Sequence, residues 1–367
     1  MNKIYFYFSL FILICCQNKD SVVEIEKELI LNEYSVFIEN NDDLIVTPNI
    51  IINNKNLFIY DVGTENLVEI NNEKKIVNKF LRRGRGPGEV EFVSNIIFAD
   101  GHIYVVDYSQ LLINKYLRDG TFVDSFNYGE IIGPPSTPPV PITSSMVIAN
   151  EIDNKPYIDL KGNVFLPTFY SLQNVDRDNL YTVFNWNGNE LSRLGSPPVG
   201  STFRFANLEY VNEVSKNEIP SFYKSNTFIL NDLSDSSEVF VIYTSLPMIE
   251  KYNTNGDKIW DVQLKNSDID SYLRNYFERM KRIKNTGDRY KLEIYSSGIS
   301  NELGELFLAM PSYPLTIHHY SKKGKFIKSF KLESDSLKLQ PIFDIDFEKN
   351  LIFVATETGE ILNFHLE

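Results

Sequence analysis

Cysteine is almost absent: the chain has two, Cys15 and Cys16, adjacent near its start, so no disulfide can brace the body of the protein. None is needed, because 367 residues of which 43% are hydrophobic can bury a sizeable core. Histidine is nearly as scarce. His102, His318, His319 and His365 form no ligand pair at metal-site spacing, and the adjacent His318 and His319 fall in a strand-like run that sends them to opposite faces. There is no Walker A string, dinucleotide fingerprint, EF-hand loop or nucleophile elbow. Positive charge is also in deficit, with 36 Lys and Arg against 49 Asp and Glu. That balance excludes tracking a nucleic-acid backbone and opposes electrostatic adhesion to an anionic membrane. No cofactor, no metal and no nucleic acid are therefore expected.

Long apolar runs are missing as well, apart from Ile4 to Ile14 behind Lys3. This run is too short to span a bilayer in the ordinary way and fits the hydrophobic region of a secretory signal. It ends in Leu13-Ile14-Cys15-Cys16, which resembles a bacterial lipobox with Cys16 as the lipidated residue. Residues 1–15 are read as a lipoprotein signal peptide and 16–21 as a lipid-anchored linker. The residue directly after Cys16 is Gln17, so the Asp that would retain a lipoprotein at the inner membrane is absent, which points to the outer membrane of a Gram-negative envelope. Membrane contact is then through the N-terminal lipid only. Loss of the signal removes one lysine and no acid, leaving 35 basic against 49 acidic residues, a net charge of about −14.

What the sequence does have is a repeat. Apolar runs at 57–61, 103–107, 164–168, 239–243, 306–310 and 352–356 are each followed by a second run ending in an aromatic or apolar residue, at 67–70, 113–116, 181–184, 249–252, 317–320 and 361–364. Turns follow at Asn71-Asn72, Asp119-Gly120, Asn187-Gly188, Asn255-Gly256 and Lys323-Gly324. Alternation, aromatic and β-branched enrichment and Asn-Gly or Asp-Gly turns signal antiparallel hairpins. A strand order repeated six times predicts a six-bladed β-propeller of four-stranded antiparallel blades over residues 22–367, rather than a β-sandwich. The sixth repeat stops after Phe364, so Val22–Leu31 or Tyr34–Glu39 is expected to supply its outer strand and close the ring.

With the strands of a blade labelled A to D from the axis outward, the A–B and C–D connections are short. The long connections, 82–92, 128–143, 195–222 and 265–290, are all of the D–A kind, and blade three also has an expanded B–C loop at 170–179. In a meander these loops emerge on one face, which becomes the expected functional face. One inserted helix is expected there, Ser267 to Lys284, with Ser267 as N-cap, acids in its first turn and bases in its last. Its stripe of Ile269, Leu273, Tyr276, Phe277, Met280 and Ile283 is expected to pack on the propeller face.

The sharpest local string is Arg82-Arg83-Gly84-Arg85-Gly86-Pro87-Gly88-Glu89. Its glycines and proline permit tight turns, while its arginines could grip a carboxylate or phosphate or could pair with the acidic surface. The GRGPGE string leaving an early outer strand resembles the six-bladed β-propeller family abundant among Bacteroidota lipoproteins, and the YVVD and INKY strands followed by Asp-Gly resemble NHL repeats. The resemblance covers most of residues 45–367 and implies fold and envelope location, with little chemistry.

Candidate ligand-binding residues are Arg82, Arg83, Arg85 and Glu89, with Arg177 and Asp178 in the blade-three loop and Phe203, Arg204 and Phe205 in the next connection. Asp61 and Asp107, each following a B strand, read as turn caps. The proline-rich stretch Gly129–Pro141 reads as a rigid crossover. The leading expectation is a monomeric binding or scaffold propeller for a small molecule, glycan or envelope protein. The alternative is a hydrolase or lyase with its site at the channel mouth.

Overall fold

The computed structural model describes residues 27–39, 49–53, 56–61, 63–132, 155–168, 178–202, 207–282, 291–334 and 337–366. The chain enters through β1 (Lys27–Leu31) and β2 (Tyr34–Ile38). Blade one is β3 (Asn49–Asn53), β4 (Asn56–Asp61), β5 (Asn66–Ile70) and β6 (Ile76–Phe80), and blade two is β7 (Val93–Ala99), β8 (His102–Asp107), β9 (Leu112–Tyr116) and β10 (Phe122–Asn127). After a short helix α1 (Tyr128–Ile132), blade three is β11 (Tyr157–Ile158), β12 (Val164–Pro167), β13 (Tyr181–Phe184) and β14 (Glu190–Leu194). Helix α2 (Asn207–Ser215) leads to blade four: β15 (Thr227–Asn231), β16 (Glu238–Tyr243), β17 (Met248–Asn253) and β18 (Lys258–Gln263). Helix α3 (Ser267–Arg282) precedes blade five: β19 (Ser297–Ser300), β20 (Leu306–Met310), β21 (Leu315–Tyr320) and β22 (Phe326–Leu332). Blade six is β23 (Leu339–Asp346), β24 (Leu351–Thr356) and β25 (Ile361–His365), completed by β2. The six antiparallel meanders form a six-bladed β-propeller.

The B strands explain the repeated apolar runs. Each is sandwiched between two neighbouring blades, so both of its faces are buried and the run is continuously apolar. In β4, Leu57 and Ile59 face the core shared with blade six, while Phe58 and Tyr60 face the core shared with blade two. The same division recurs around the ring, so the hydrophobic core is a set of six inter-blade layers.

Both N-terminal segments named in the sequence are used. β2 pairs antiparallel with β25, Tyr34 opposite Phe364, and supplies the missing outer strand. β1 adds itself to blade five as a fifth strand, parallel to β22, with Leu31 joining the core between blades five and six. The closure thus spans two blades.

The C–D hairpins repeat one hydrogen-bond pattern. In blade two, Gly120 N–H donates to the Leu117 carbonyl and Leu117 N–H to that of Thr121; the same pair recurs at Asn185, Asn253 and Ser321. The fourth residue takes positive φ, and it is Gly120, Gly188, Gly256 or Gly324. In blade one the left-handed residue is Lys74 rather than either member of the expected Asn71-Asn72 pair. Its ammonium reaches the Val36 carbonyl at 3.2 Å and lies 5.2 Å from the Phe37 ring centre, so this strained lysine also holds the closing strand.

Several of these glycines lean on the preceding blade. A β-carbon at Gly256, φ +99°, would lie 2.4 Å from the Arg193 carbonyl oxygen, whereas one at Gly188, φ +80°, would meet nothing within 4 Å. Gly256→Ala is therefore expected to cost about 3 kcal/mol, combining left-handed strain with a backbone overlap, against about 1 kcal/mol for Gly188→Ala. Parallel urea melts of the two variants check this; equal losses would show that inter-blade contact at the turn is unimportant.

Candidate functional site

The Arg82–Glu89 loop is held by its backbone. Gly84 N–H donates to the Val90 carbonyl and Val90 N–H to that of Arg82, closing a narrow loop. Inside it, Gly86 N–H donates to the Glu89 carboxylate at 2.8 Å, and a β-carbon at Gly84 would fall 2.0 Å from that carboxylate. Blade two grips the outside. The Gln110 side-chain amide donates to the Gly84 carbonyl at 3.0 Å, the Asn114 amide to that of Glu89 at 3.1 Å, and the Tyr116 hydroxyl to that of Gly88 at 3.0 Å. Beneath sits the buried Asp107, whose carboxylate accepts the backbone N–H groups of Glu91, Phe92 and Gln110 and the Gln110 amide.

The arginines point outward from this frame. Arg83 meets Glu65 at 3.0 Å and Arg85 meets Glu91 at 2.6 Å, with side chains 71% and 79% exposed, and Arg82 is also exposed. Asp178 is exposed at the end of the blade-three loop, remote in sequence and in blade from this group. Cys16, Arg177, Phe203, Arg204 and Phe205, and the prolines at 134–141, lie outside the described residues. Asp61 does cap its turn, accepting from Gly63 N–H at 2.9 Å and the Thr64 hydroxyl at 2.7 Å.

His318 and His319 are framework groups. His318 is fully buried between blades four and five; its Nδ1 meets the Tyr295 hydroxyl at 2.7 Å and its Nε2 meets Asp268 at 3.2 Å. The His318 hydrogen bond holds the Asp268 carboxyl below the usual carboxylate range, and Lys331, 3.3 Å away, acts in the same direction. Lys331 in turn meets Glu28 of β1 at 2.5 Å, which ties helix α3, blade five and the entering strand together. His319 faces the other way, stacked on Phe307 at 4.3 Å, and burial pushes its imidazole pKa down against the pull of Glu305.

Helix α3 differs from expectation in two respects. Its N-cap is Asn266, whose side-chain oxygen accepts the Ile269 N–H at 2.8 Å, rather than Ser267. Only the first part of its apolar stripe packs on the blades. Ile269 joins the core of blades four and five, whereas Tyr276, Phe277 and Met280 pack with Tyr210 and Val214 of α2. The loop-rich face therefore carries a small helical layer with its own core. α2 was missed because NLEYVNEVS is mostly polar and offers only Tyr210 and Val214 to that core.

Two cavities open among the blades. The first, about 450 Å³, is the central channel, lined by the A strands of all six blades, including Ile51, Asn95, Tyr157, Phe228, Ile299 and Ile342. The second, about 340 Å³, lies between blades five and six under Pro311, Tyr313, Leu337 and Pro341. Glu293, Ser296 and Ile342 line both, so the cavities meet at one lip. Glu293 is paired with Lys291 at 2.8 Å. Neither cavity is lined by Arg82, Arg83, Arg85, Glu89 or Asp178. The lip residues carry no motif, and the signal in the sequence that could have found them is the A-strand position within each repeat.

No family model matches the chain, and no curated protein matches it in sequence. Solved structures do. A protein of Bacteroides fragilis described as exported aligns over 92% of this chain and 98% of its own, with 14% identity and a TM-score of 0.52. A member of the DUF4221 family from Bacteroides vulgatus aligns over 92% and 94%, with 11% identity and a TM-score of 0.50. Virginiamycin B lyase of Staphylococcus aureus, in an inactive form crystallised with quinupristin, aligns over 91% and 100%, with 10% identity and a TM-score of 0.50. At such identities the likeness concerns the six-bladed fold.

Proposed function

We propose that this protein is an envelope binding propeller that captures a small ligand at the loop-rich face, where the channel and the cavity between blades five and six share a lip. The meeting of the two cavities at Glu293, Ser296 and Ile342 carries the reading. Concave, largely apolar sites with a few convergent polar groups are where proteins hold small molecules. The lipobox ending in Cys16 and the exported Bacteroides fragilis neighbour support an outer-envelope location, with the lipid at Cys16 as the membrane attachment. A hydrolase or lyase using the same mouth is the competing reading, favoured by the fold shared with the lyase.

A chain beginning at Ser21 retains every strand of the ring and suits the test. A small-molecule library screened by ligand-observed NMR should yield binders whose affinity falls at least tenfold in Ser296→Trp, with the thermal midpoint unchanged. Binders insensitive to Ser296→Trp would remove the lip from the proposal, and conversion of a binder to product would favour the enzyme. Capture of an anionic group by Arg82, Arg83 and Arg85 is a separate proposal. Their triple alanine variant should fold with a loss below about 1 kcal/mol, since exposed ion pairs contribute little, and should weaken only anionic binders.

A further inference from the structure

The channel wall is graded along its axis. Each A strand follows a D–A connection and therefore starts at the loop-rich face and ends at an A–B turn on the plain face. Sorted by position in their strands, the lining residues are mostly polar towards one end and mostly apolar towards the other. Lys155, Thr227, Thr244, Glu293, Ser296 and Ser297, with Asn95 early in β7, lie towards the loop-rich mouth. Phe98, Leu160, Leu230, Leu233, Ile299 and Phe347 lie towards the plain face, with Asn231 and Ser300, where the Ser300 hydroxyl donates to the Asn231 carbonyl at 2.6 Å. Asp344 is the carboxylate among these lower residues, and its Oδ1 accepts the Ile345 N–H at 2.7 Å.

The mouth does not present one sign of charge. Glu293 is already matched by Lys291, Lys155 stands on the same rim, and the remainder are hydroxyls, an amide and the rings of Tyr157 and Phe228. An uncharged polar group can exchange hydrogen bonds with such a rim without stranding a charge, whereas an ionised head would leave its own charge uncompensated in a half-buried site. The lower wall offers apolar surface and rewards burial of hydrocarbon.

Resting on the binding reading above, we infer that the ligand is an elongated amphiphile, with an uncharged polar head at the Glu293–Ser296 lip and an alkyl tail directed down the channel towards Phe98, Leu230 and Ile299. The neighbouring cavity, floored by Leu315, Leu332, Leu337 and Leu339, gives a branched or bulky head a second apolar surface.

The test is a calorimetric titration of the Ser21–Glu367 chain with hexyl, heptyl and octyl glucoside below their micelle concentrations, with glucose, octanoate and octylammonium as controls. Affinity should rise about fourfold with each added methylene, the value for burying a CH₂ group, and octyl glucoside should bind at least tenfold more tightly than either charged octyl probe. Leu230→Trp, which fills the lower channel, should abolish the chain-length dependence. Ile299→Ser, a smaller change, should weaken the octyl probe at least fivefold and covers the case in which the tryptophan variant fails to fold. Affinity independent of chain length, or glucose binding as tightly as its octyl derivative, would overturn the amphiphile. If such headgroup binding were still lost in Ser296→Trp, the lip would stand as a binding site without it. If no probe bound and the library screen were also empty, both readings would fall together.

Discussion

Asp232→Ala is expected to destabilise the protein by about 3 kcal/mol, because it removes one of two carboxylates that neutralise a lysine with almost no contact with water. Lys251 is 2% exposed, and its ammonium lies 2.6 Å from Asp232, 2.5 Å from Glu238 and 4.9 Å from the centre of the Phe240 ring. Glu238 remains in the variant, which keeps the cost at the lower end of what breaking a buried pair entails. Converting the pair to Asp232→Asn with Lys251→Met should recover part of the loss, since the buried lysine charge is removed, the Asn oxygen can still accept from Ser234, and Glu238, which loses its lysine, is 22% exposed and can be hydrated. The pH dependence has a definite sign. Burial pushes the Asp232 carboxyl up, but the Lys251 and Ser234 hydrogen bonds outweigh it and hold the pKa below its ordinary value. A carboxyl lowered in the folded state stabilises fully above its unfolded pKa, about 3.9, and that contribution is lost as pH falls through the folded value. Urea unfolding should therefore show the gap between wild type and Asp232→Ala at pH 7 and a narrower one at pH 3. A gap unchanged at pH 3 would mean that the charge of Asp232 is not its source.

The parts of this fold that were legible in the sequence are those set by short-range rules. Period-two alternation and Asn-Gly or Asp-Gly turns placed the middle strands of blade two, expected at 103–107 and 113–116, within one residue of the structure. The missing outer strand of blade six followed from counting strands, and β2 supplies it. Long-range choices were less visible. Nothing local to Lys27–Leu31 says that it will run parallel to β22, because that pairing depends on where the closing strand must begin. Lys74 carries no glycine signal, yet it takes the left-handed position because its side chain gains contacts on β2. The cap of α3 moved by one residue because Asn266 also reaches the Tyr320 hydroxyl, at 3.3 Å, and so is fixed from the blade side. The candidate site shows the same division. GRGPGE stood out because glycine and proline are rare and punctuating, whereas the channel mouth is built of ordinary serines, threonines and a paired glutamate brought together by ring geometry.

That contrast makes the Arg82–Glu89 loop the place where a conspicuous motif can be separated from a conspicuous function. Asp107→Ala is expected to cost about 3 kcal/mol, because three backbone donors lose their acceptor at a carboxylate with no solvent exposure, Glu91 N–H at 2.6 Å, Phe92 N–H at 3.3 Å and Gln110 N–H at 3.0 Å, and the Gln110 amide, which keeps the Gly84 carbonyl, loses a partner at 2.9 Å. Asp107→Asn should fall between wild type and alanine, since an amide retains one acceptor oxygen but turns a donor towards the remaining N–H groups. Hydrogen exchange localises the effect: the amides of Gly84, Val90, Glu91 and Phe92 should lose protection in Asp107→Ala, while β16 and β24 in distant blades should not until global unfolding. A loss below 1 kcal/mol with those amides still protected would show that Asp107 does not hold the loop. The arginine side chains lie outside this network, so the triple alanine variant and Asp107→Ala perturb different things. If the first is silent in folding and the second severe, the glycines, proline and Glu89 exist to fold a tight inter-blade turn onto a buried carboxylate. Any ligand role then belongs to the arginines alone and can be read without ambiguity from anion binding in a protein whose loop is intact.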